Sequence, residues 1–203
     1  MFDNRYDFVA IELGSRFTKV GFSGNDSPKV VFPTIVGIPK VPGIMVGSDQ
    51  RAYYIGDRAD EKRGILNLTN PIVNGVIQDW ENLERILSHI FLEELKIPSD
   101  NITLLLIDTP SNSKSDRETL AKLLFDVFNI QALHIMTSAK ASQLAREAKL
   151  SVDTNDHTNH NIWVAGVLNS CTHPFDPYSE SRYWVTREEF EDNSPEMIHQ
   201  KFS

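Results

Sequence analysis

The chain has 203 residues, of which 40% are apolar and 24% are charged, enough for one substantial hydrophobic core. A net charge of −8 argues against nucleic acid as a partner, because surfaces that bind nucleic acid are basic. The single cysteine, Cys171, excludes an internal disulfide, and no apolar run of about 18 residues is present to cross a membrane. The N-terminus also lacks an apolar signal segment, so the sequence predicts a cytoplasmic protein, with the nucleus left open.

Short segments rich in β-branched and aromatic residues, bounded by turn residues, predict five β-strands. The segment 103–107 is almost continuously apolar, which is typical of a strand buried on both faces of its sheet. Residues 34–70 mix glycines and prolines with scattered apolar residues and predict an irregular appendage. The five predicted strands are residues 8–12, 17–22, 29–32, 103–107 and 133–136.

Capping residues ahead of helical apolar periodicity predict the helices. Asp79 is expected to cap one helix, and Ser115 with Glu118 forms a capping-box pattern ahead of another. An alanine-rich helix is predicted over residues 138–149. The two remaining helix starts are predicted at Thr186 with Glu189, and at Ser194 with Pro195.

Strands and helices alternate along the chain, so the sequence predicts an α/β fold with one mixed five-stranded sheet and flanking helices. The polar stretch 149–161 has no periodicity and is predicted to be a linker.

Several blocks of the sequence resemble actin in their order and spacing. They start near the N-terminus and resume after the polar stretch, where they look like the C-terminal part of actin. On these blocks the chain is similar to the actin and actin-related protein family. The clearest of them are Phe22-Ser-Gly-Asn-Asp-Ser-Pro28, Val31-Phe-Pro-Thr-Ile-Val-Gly37, Tyr54-Ile-Gly-Asp57, Pro71-Ile-Val-Asn-Gly75, Trp163-Val-Ala-Gly166 and Trp184-Val-Thr-Arg-Glu-Glu-Phe190.

The resemblance implies half of the actin fold, because almost half of an actin chain has no counterpart here. Subdomain 1 of the family would be residues 1–33, 71–148 and 162–203, and subdomain 2 would be residues 34–70. The stretch 149–161 would be a linker that replaces the missing subdomains 3 and 4. A short bridge suffices if the chain leaves and re-enters subdomain 1 at neighbouring points.

Actin-like proteins hold ATP between their two halves, and the resemblance matches only part of that site. Glu12, Gly14, Ser15 and Lys19 correspond to the first phosphate loop. Arg16 stands where the family has a glycine that lets the backbone approach phosphate, and the second phosphate loop and the adenine pocket have no counterpart. We therefore expect a vestigial site, no cofactor and no ATPase activity, that is, a pseudo-ATPase.

Two substitutions in the vestigial site sharpen this expectation. Ser138 occupies the place of the glutamine that helps to position the attacking water in the family. Arg16 is a candidate to pair with Glu12 or Asp108, where phosphate lies in the family.

Two other groups of side chains invite a chemical interpretation. Cys171 and His173 lack a third partner, so a thiol catalyst is not predicted. Acidic and imidazole side chains also occur in the polar stretch, but a solvated linker explains them better than a metal site. These side chains are Asp153, Asp156, His157 and His160.

An apolar run flanked by glycines, residues 41–47, resembles the subdomain 2 loop through which actin subunits contact their longitudinal neighbours. Exposed apolar runs usually mark contacts, so the run is a candidate partner-binding loop. The alternative is a loop kept by descent or folded onto its own subdomain. The candidate residues are Val41, Pro42, Gly43, Ile44, Met45, Val46 and Gly47.

Two functions are compatible with these features. The first is a structural subunit of a larger protein assembly, in which a partner protein covers the face around Ala139, Leu144, Ala148 and Ala165. The second is a non-polymerising cap or regulator of the barbed end of an actin or actin-related filament, docked through residues 41–47. The expected partners are therefore proteins, with actin or an actin-related protein as one candidate, and neither nucleic acid nor membrane is expected.

Overall fold

The computed structural model of the chain describes residues 8–41, 51–100, 102–150, 160–176 and 182–202. The strands are β1 (Val9–Leu13), β2 (Phe17–Phe22), β3 (Val30–Pro33), β4 (Val36–Pro39), β5 (Tyr54–Ile55), β6 (Leu66–Thr69), β7 (Ile72–Val73), β8 (Val76–Ile77), β9 (Thr103–Asp108), β10 (Ala132–Thr137) and β11 (Val185–Thr186). The α-helices are α1 (Asp57–Glu61), α2 (Trp80–His89), α3 (Lys114–Lys122), α4 (Ser138–Glu147), α5 (Asn161–Cys171), α6 (Arg187–Asp192) and α7 (Ile198–Lys201). Two π-helical segments, Ile90–Leu95 and Leu123–Val127, continue α2 and α3, and a 3-10 turn, Pro195–Met197, precedes α7.

Six strands form the main sheet, in the order β11-β10-β9-β1-β2-β3. Strands β1, β9 and β10 are parallel, with Ile11 opposite Leu106 and Leu106 opposite Ile135. The other pairs are antiparallel. The α/β fold and the mixed sheet predicted from the sequence are confirmed.

The sheet has six strands, however, and not the five that the sequence predicts. The additional strand, β11, has only two residues and pairs with Ala132 and Leu133 of β10. Two residues are too few to show the alternation by which a strand is identified in a sequence. Moreover, Thr186 carries the stronger signal of a helix cap, which masks its second role in the sheet.

Both faces of the main sheet are covered. On one face Val9 and Ile11 pack into a large cluster with the apolar side chains of α2 and α3. On the other face Ala10 and Leu105 pack against Trp163 of α5. All six residues of β9 are buried, which confirms the prediction of a strand buried on both faces.

The small sheet, in the order β5-β4-β6, corrects the prediction that residues 34–70 are irregular. Its strands have two to four residues and include Gly37 and Pro39, so the sequence shows no clear alternation. Tyr54, Ala59 and Leu66 form a separate buried cluster beneath it. A pair of two-residue strands, β7 and β8, then leads into α2.

Helix caps agree with the sequence at α2 but differ at α3. Asp79 caps α2, since its Oδ1 accepts a hydrogen bond from Asn82 N at 3.0 Å. At α3 the capping box is Ser113 with Asp116, whose side chains accept from each other's backbone N–H at 3.1 and 2.8 Å. The prediction of Ser115 as the cap is therefore wrong. Both serines fit the pattern, but Ser113 has the extended backbone that a cap requires, whereas Ser115 lies inside the helix.

The C-terminal helices begin where the sequence predicts. Thr186 and Glu189 form the capping box of α6, with distances of 3.1 and 2.9 Å. Pro195 follows Ser194 in the first turn of the last helical segment.

Helices α4 and α5 pack against each other on one face of the main sheet. Helix α4 ends at Glu147, before the predicted end, and Lys149 adopts a left-handed backbone with φ 58°. Residues 151–159, most of the predicted linker, lie outside the described residues. The division into subdomains remains a prediction. Within the described ranges, no helix has the length and apolar character needed to cross a membrane.

Candidate functional site

The candidate site lies at one edge of the main sheet, where the parallel strands β1, β9 and β10 end. Ligands of α/β sheets usually bind at such carboxyl ends. Here the edge presents Glu12, Ser15, Asp108 and Thr137, from three strands and the turn that follows the first of them. Of the four residues that the resemblance matches to the first phosphate loop, Glu12, Ser15 and Lys19 have polar side chains, and Gly14 lies in the turn between them.

The turn between β1 and β2 is tight and anchored to a second loop. Gly14 N donates to Phe17 O at 3.2 Å, and a Cβ on Gly14 would lie 2.7 Å from that oxygen, so glycine is required there. Ser15 Oγ accepts a hydrogen bond from Gly75 N at 2.7 Å. Gly75 has φ 80° and its carbonyl accepts from the Thr109 hydroxyl. The Ser15 oxygen is thus used to hold the turn after β7 in place.

Glu12 and Lys19 form a buried ion pair across the β1–β2 hairpin, where they are directly opposite each other. Lys19 Nζ lies 3.1 and 3.3 Å from the two carboxylate oxygens of Glu12. The side chain of Lys19 is only 9% exposed, and that of Glu12 is 13% exposed. Burial raises the pKa of Glu12, and the charge and hydrogen bond of Lys19 oppose that rise.

Asp108, at the end of β9, is held by two side chains. Asn112 Nδ2 donates to its Oδ1 at 2.5 Å, and Arg117 Nε donates to its Oδ2 at 3.1 Å. Burial raises the pKa of Asp108, and the hydrogen bond from Asn112 and the charge of Arg117 work against it. Asn112 Oδ1 also accepts from Ile77 N at 3.0 Å, so the network joins β9 to β8.

The pairing of Arg16 with Glu12 or Asp108 that the sequence suggested is not formed. Glu12 pairs with Lys19 instead, and Asp108 pairs with Arg117. Arg16 is exposed, and its guanidinium lies 5.9 Å from the centre of the Phe17 ring. The hairpin register explains this result at Glu12, because it places Lys19 directly opposite Glu12, whereas Arg16 lies in the turn between the two strands.

Ser138 begins α4 at the end of β10. Its carbonyl accepts from the Ser142 hydroxyl at 2.7 Å, while the preceding Thr137 caps the helix by accepting from Lys140 N at 3.3 Å. Sequence reasoning missed Gly75, Asn112 and Arg117, which complete the polar network of this edge. Arg117 lies between Ser115 and Glu118, the residues of the predicted capping box, and only its contact with Asp108 of β9 reveals its role.

The predicted partner-binding loop is described only at its first residue. Val41 follows β4 and is 50% exposed. The others, Pro42, Gly43, Ile44, Met45, Val46 and Gly47, lie outside the described residues.

The face predicted to need a partner is partly covered by the chain itself. Ala165 is 4% exposed and Leu144 packs against the cluster around Trp163, so these two residues are not bare. Ala139 and Ala148 are exposed, as predicted. Helices α4 and α5 pack against each other, and this packing, which the sequence does not reveal, removes Leu144 and Ala165 from the bare surface.

Neither of the other two groups is brought together as a site. Cys171 is exposed and its Sγ lies 3.9 Å from Ser23 O, whereas His173 Nδ1 lies 2.9 Å from Thr172 Oγ1. Among the described residues no cluster of three metal-ligating side chains occurs. Of the side chains weighed as ligands only His160 is described, and Asp153, Asp156 and His157 are not.

Comparison with protein families agrees with this architecture. A family model described as Actin matches residues 4–160, which is most of the 203-residue chain. The matched range includes the β1–β2 turn, β9 with its Asp108 network, and α4. The blocks compared above with the C-terminal part of actin, from Trp163 onward, lie beyond it. On the strength of this match, the chain belongs to the actin family.

Proposed function

We propose that this actin-family protein is a non-catalytic structural subunit of a larger protein assembly. The observation that carries the proposal is the buried Glu12–Lys19 pair. Lys19 donates to both carboxylate oxygens of Glu12, so the cation that matches a phosphate contact of the family is already neutralised within the chain.

The chemistry of the edge supports a structural role for it. A nucleotide phosphate would have to displace the buried Glu12 carboxylate from the Lys19 ammonium group, and the two anions would then compete for one amine. Ser15 Oγ is engaged with Gly75 N, and Asp108 is engaged with Asn112 and Arg117. These contacts join β1, β8 and β9, which is a role in stability and not in catalysis.

Titration with MgATP tests the non-catalytic part of the proposal. We expect no saturable heat by isothermal calorimetry up to about 1 mM ATP, whereas an intact actin in the same buffer gives a clear isotherm. Saturable binding to this chain that the Lys19→Gln substitution abolishes would contradict the proposal. Lys19→Gln keeps a hydrogen-bonding group opposite Glu12 but removes its cation, so the folding of the variant is first checked by circular dichroism.

The surface that we assign to the partner is the outer side of α4 and α5. Leu168 of α5 is 55% exposed, and Ala139 and Ala148 of α4 are exposed beside the covered Leu144 and Ala165. Exposed apolar side chains on a helix pair that packs on one face of the main sheet are suited to a protein contact.

Affinity purification of the tagged native protein, with subunit stoichiometry by mass spectrometry, tests the assembly. We expect a fixed set of partner proteins at one-to-one ratios. Leu168→Asp should release them, whereas Leu92→Asp should not. Leu92 is a matched control because it is 71% exposed but follows α2, on the opposite face of the main sheet. A monodisperse, unaccompanied protein, or equal loss of partners in both variants, would contradict the proposal.

The alternative function is a cap or regulator at the barbed end of an actin or actin-related filament. Val41, the one described residue of the candidate loop, follows β4 and is 50% exposed, as a residue that contacts a partner must be in the free protein. Ile44→Asp combined with Met45→Asp is expected to abolish capping in a barbed-end elongation assay. Unchanged capping by that double variant would exclude the loop mechanism.

A further inference from the structure

The boundary between the small sheet and the main body, here called the seam, contains a group of charged side chains. They belong neither to the hydrophobic clusters nor to the surface assigned to a partner protein. Glu93 lies in the π-helical segment after α2, and two guanidinium groups from the small-sheet unit reach its carboxylate. Arg51, ahead of β5, donates to Oε1, and Arg58, on α1, lies 3.3 Å from Oε2. One carboxylate therefore joins the body to two separate parts of the small-sheet unit.

Burial around these charges is limited, so the packing of the seam is weak. Glu93 is 36% exposed, and Arg51 and Arg58 are 40% and 50% exposed. Beside them, Arg51, Ala52, Tyr53 and Glu93 border a solvent-open cleft of about 290 Å³. Among the described residues of the small-sheet unit, Val36, Ile55 and the partly buried Tyr53 pack into the main cluster. Its other buried apolar side chains, Tyr54, Ala59 and Leu66, form a separate cluster.

We propose that Glu93, with Arg51 and Arg58, is an electrostatic latch that holds the small sheet closed against α2, and that loss of the Glu93 charge lets the small sheet open. Exposed ion pairs contribute little one at a time, but two pairs that share one carboxylate across a thinly packed seam act on the same motion. The proposal is independent of the assembly role, since it concerns an equilibrium within the chain.

Neighbouring charges provide a matched control. Glu94 is the next residue along the chain. Its Oε1 lies 3.0 Å from His89 Nε2, and among the described residues it forms no ion pair with the small-sheet unit. His89 Nδ1 lies 3.7 Å from Glu93 Oε2, within the same helical stretch. Glu94 therefore carries the same charge as Glu93 and is adjacent to it in the chain, but it is not part of the latch.

Hydrogen–deuterium exchange of the small-sheet amides, in β4, β5 and β6, measures the opening. We expect Glu93→Gln to accelerate their exchange about two- to fivefold, the range for weakly stabilising exposed pairs, and Glu94→Gln to leave it unchanged. Added salt at about 0.5 M should reduce the difference between wild type and Glu93→Gln, because exposed charges are screened.

A double-mutant cycle decides whether the effect passes through the two arginines. The Arg51→Gln/Arg58→Gln variant should accelerate the same amides, and Glu93→Gln should add nothing in that background. A full additional effect there, or small-sheet exchange that is unchanged by Glu93→Gln, would overturn the latch. If Glu93→Gln does not fold, the arginine variant, measured against Glu94→Gln, decides by the same criterion.

Discussion

The main sheet has a large apolar cluster on each face, whereas the small sheet has one small cluster among the described residues. All six residues of β9 are buried between two apolar clusters. Ile38 of β4 is 39% exposed and Ile65, just before β6, is 43% exposed, and the separate cluster of the small sheet has three buried residues. Buried apolar area dominates folding free energy, so we expect the body to set global stability and the small sheet to open first.

The largest expected effect is in the body, at Trp163. Its side chain is fully buried, and its Nε1 donates to Ala10 O at 3.1 Å. We expect Trp163→Ala to lower the free energy of unfolding by about 4 kcal/mol in urea titrations. Leu168→Ala, on the same helix but 55% exposed, should change it by less than about 0.5 kcal/mol. Similar losses in both variants would mean that α5 is not packed on the sheet as described.

The buried ion pair gives the next largest effect. Lys19→Met leaves Glu12 buried without its cation and should cost about 3 kcal/mol of unfolding free energy. Replacing both residues, Glu12→Leu with Lys19→Met, should restore most of that loss, since a well-packed apolar pair needs no desolvation of charge. Denaturant unfolding of the three proteins measures this, and a double variant as unstable as the single one would refute it.

A pH-dependent loss of folding stability is expected from His134, where the C-terminal segment covers β10. The ring lies among Tyr183, Trp184 and Phe202, and Ser170 Oγ is 3.3 Å from its Nδ1. Burial, helped by the charge of His173, lowers the pKa of His134 to about 4. The unfolded chain, with the ordinary value of about 6.5, then binds the proton more readily than the folded chain.

The contribution of His134 to stability is therefore complete above pH 6.5 and is lost as the pH falls toward about 4. Between pH 6.5 and 5 the loss should be about 2 kcal/mol, measured as the change in unfolding free energy. His134→Phe removes the titrating group and should flatten this part of the profile. Identical profiles for wild type and variant would show that other groups cause the acid sensitivity.

The smallest effect on the whole protein is expected from the small sheet. Leu66 belongs to the three-residue cluster of the small sheet. Leu66→Ala should lower the free energy of opening of that sheet by about 2 kcal/mol, the low end for a buried leucine. Exchange of the β4–β6 amides should rise about 30-fold, and Trp163→Ala should leave their local opening unchanged. If Trp163→Ala accelerates these amides as much as Leu66→Ala does, the two regions unfold as one unit and the comparison fails.

The sequence was sufficient wherever a pattern is local and long. The apolar run at 103–107 predicts β9, and the hairpin signal predicts β1 and β2. It was insufficient for short elements: β11 has two residues, and the strands of the small sheet have at most four. It also could not choose between Ser113 and Ser115, because the capping pattern occurs twice within three residues.

The candidate site shows the same division. The residues of the first phosphate loop were identified from the sequence, and the family model matches the range that contains them. Their roles stay predictions. The partners of those residues were not identified. Arg16 was expected to neutralise Glu12 or Asp108, and Lys19 and Arg117 do so. The hairpin register held a usable signal, since Glu12 and Lys19 lie at opposed positions of the two strands.

The sequence by itself determined the family, the α/β class and the five longer strands of the main sheet, because these depend on residue order and on apolar periodicity within one segment. Only the tertiary structure decided which charges pair, which serine caps α3, and how far α4 and α5 cover each other. Those outcomes depend on the distances between segments far apart in the chain, such as Ser15 and Gly75 or Trp163 and Ala10. Propensity and spacing carry no information on such distances until the strands are in register.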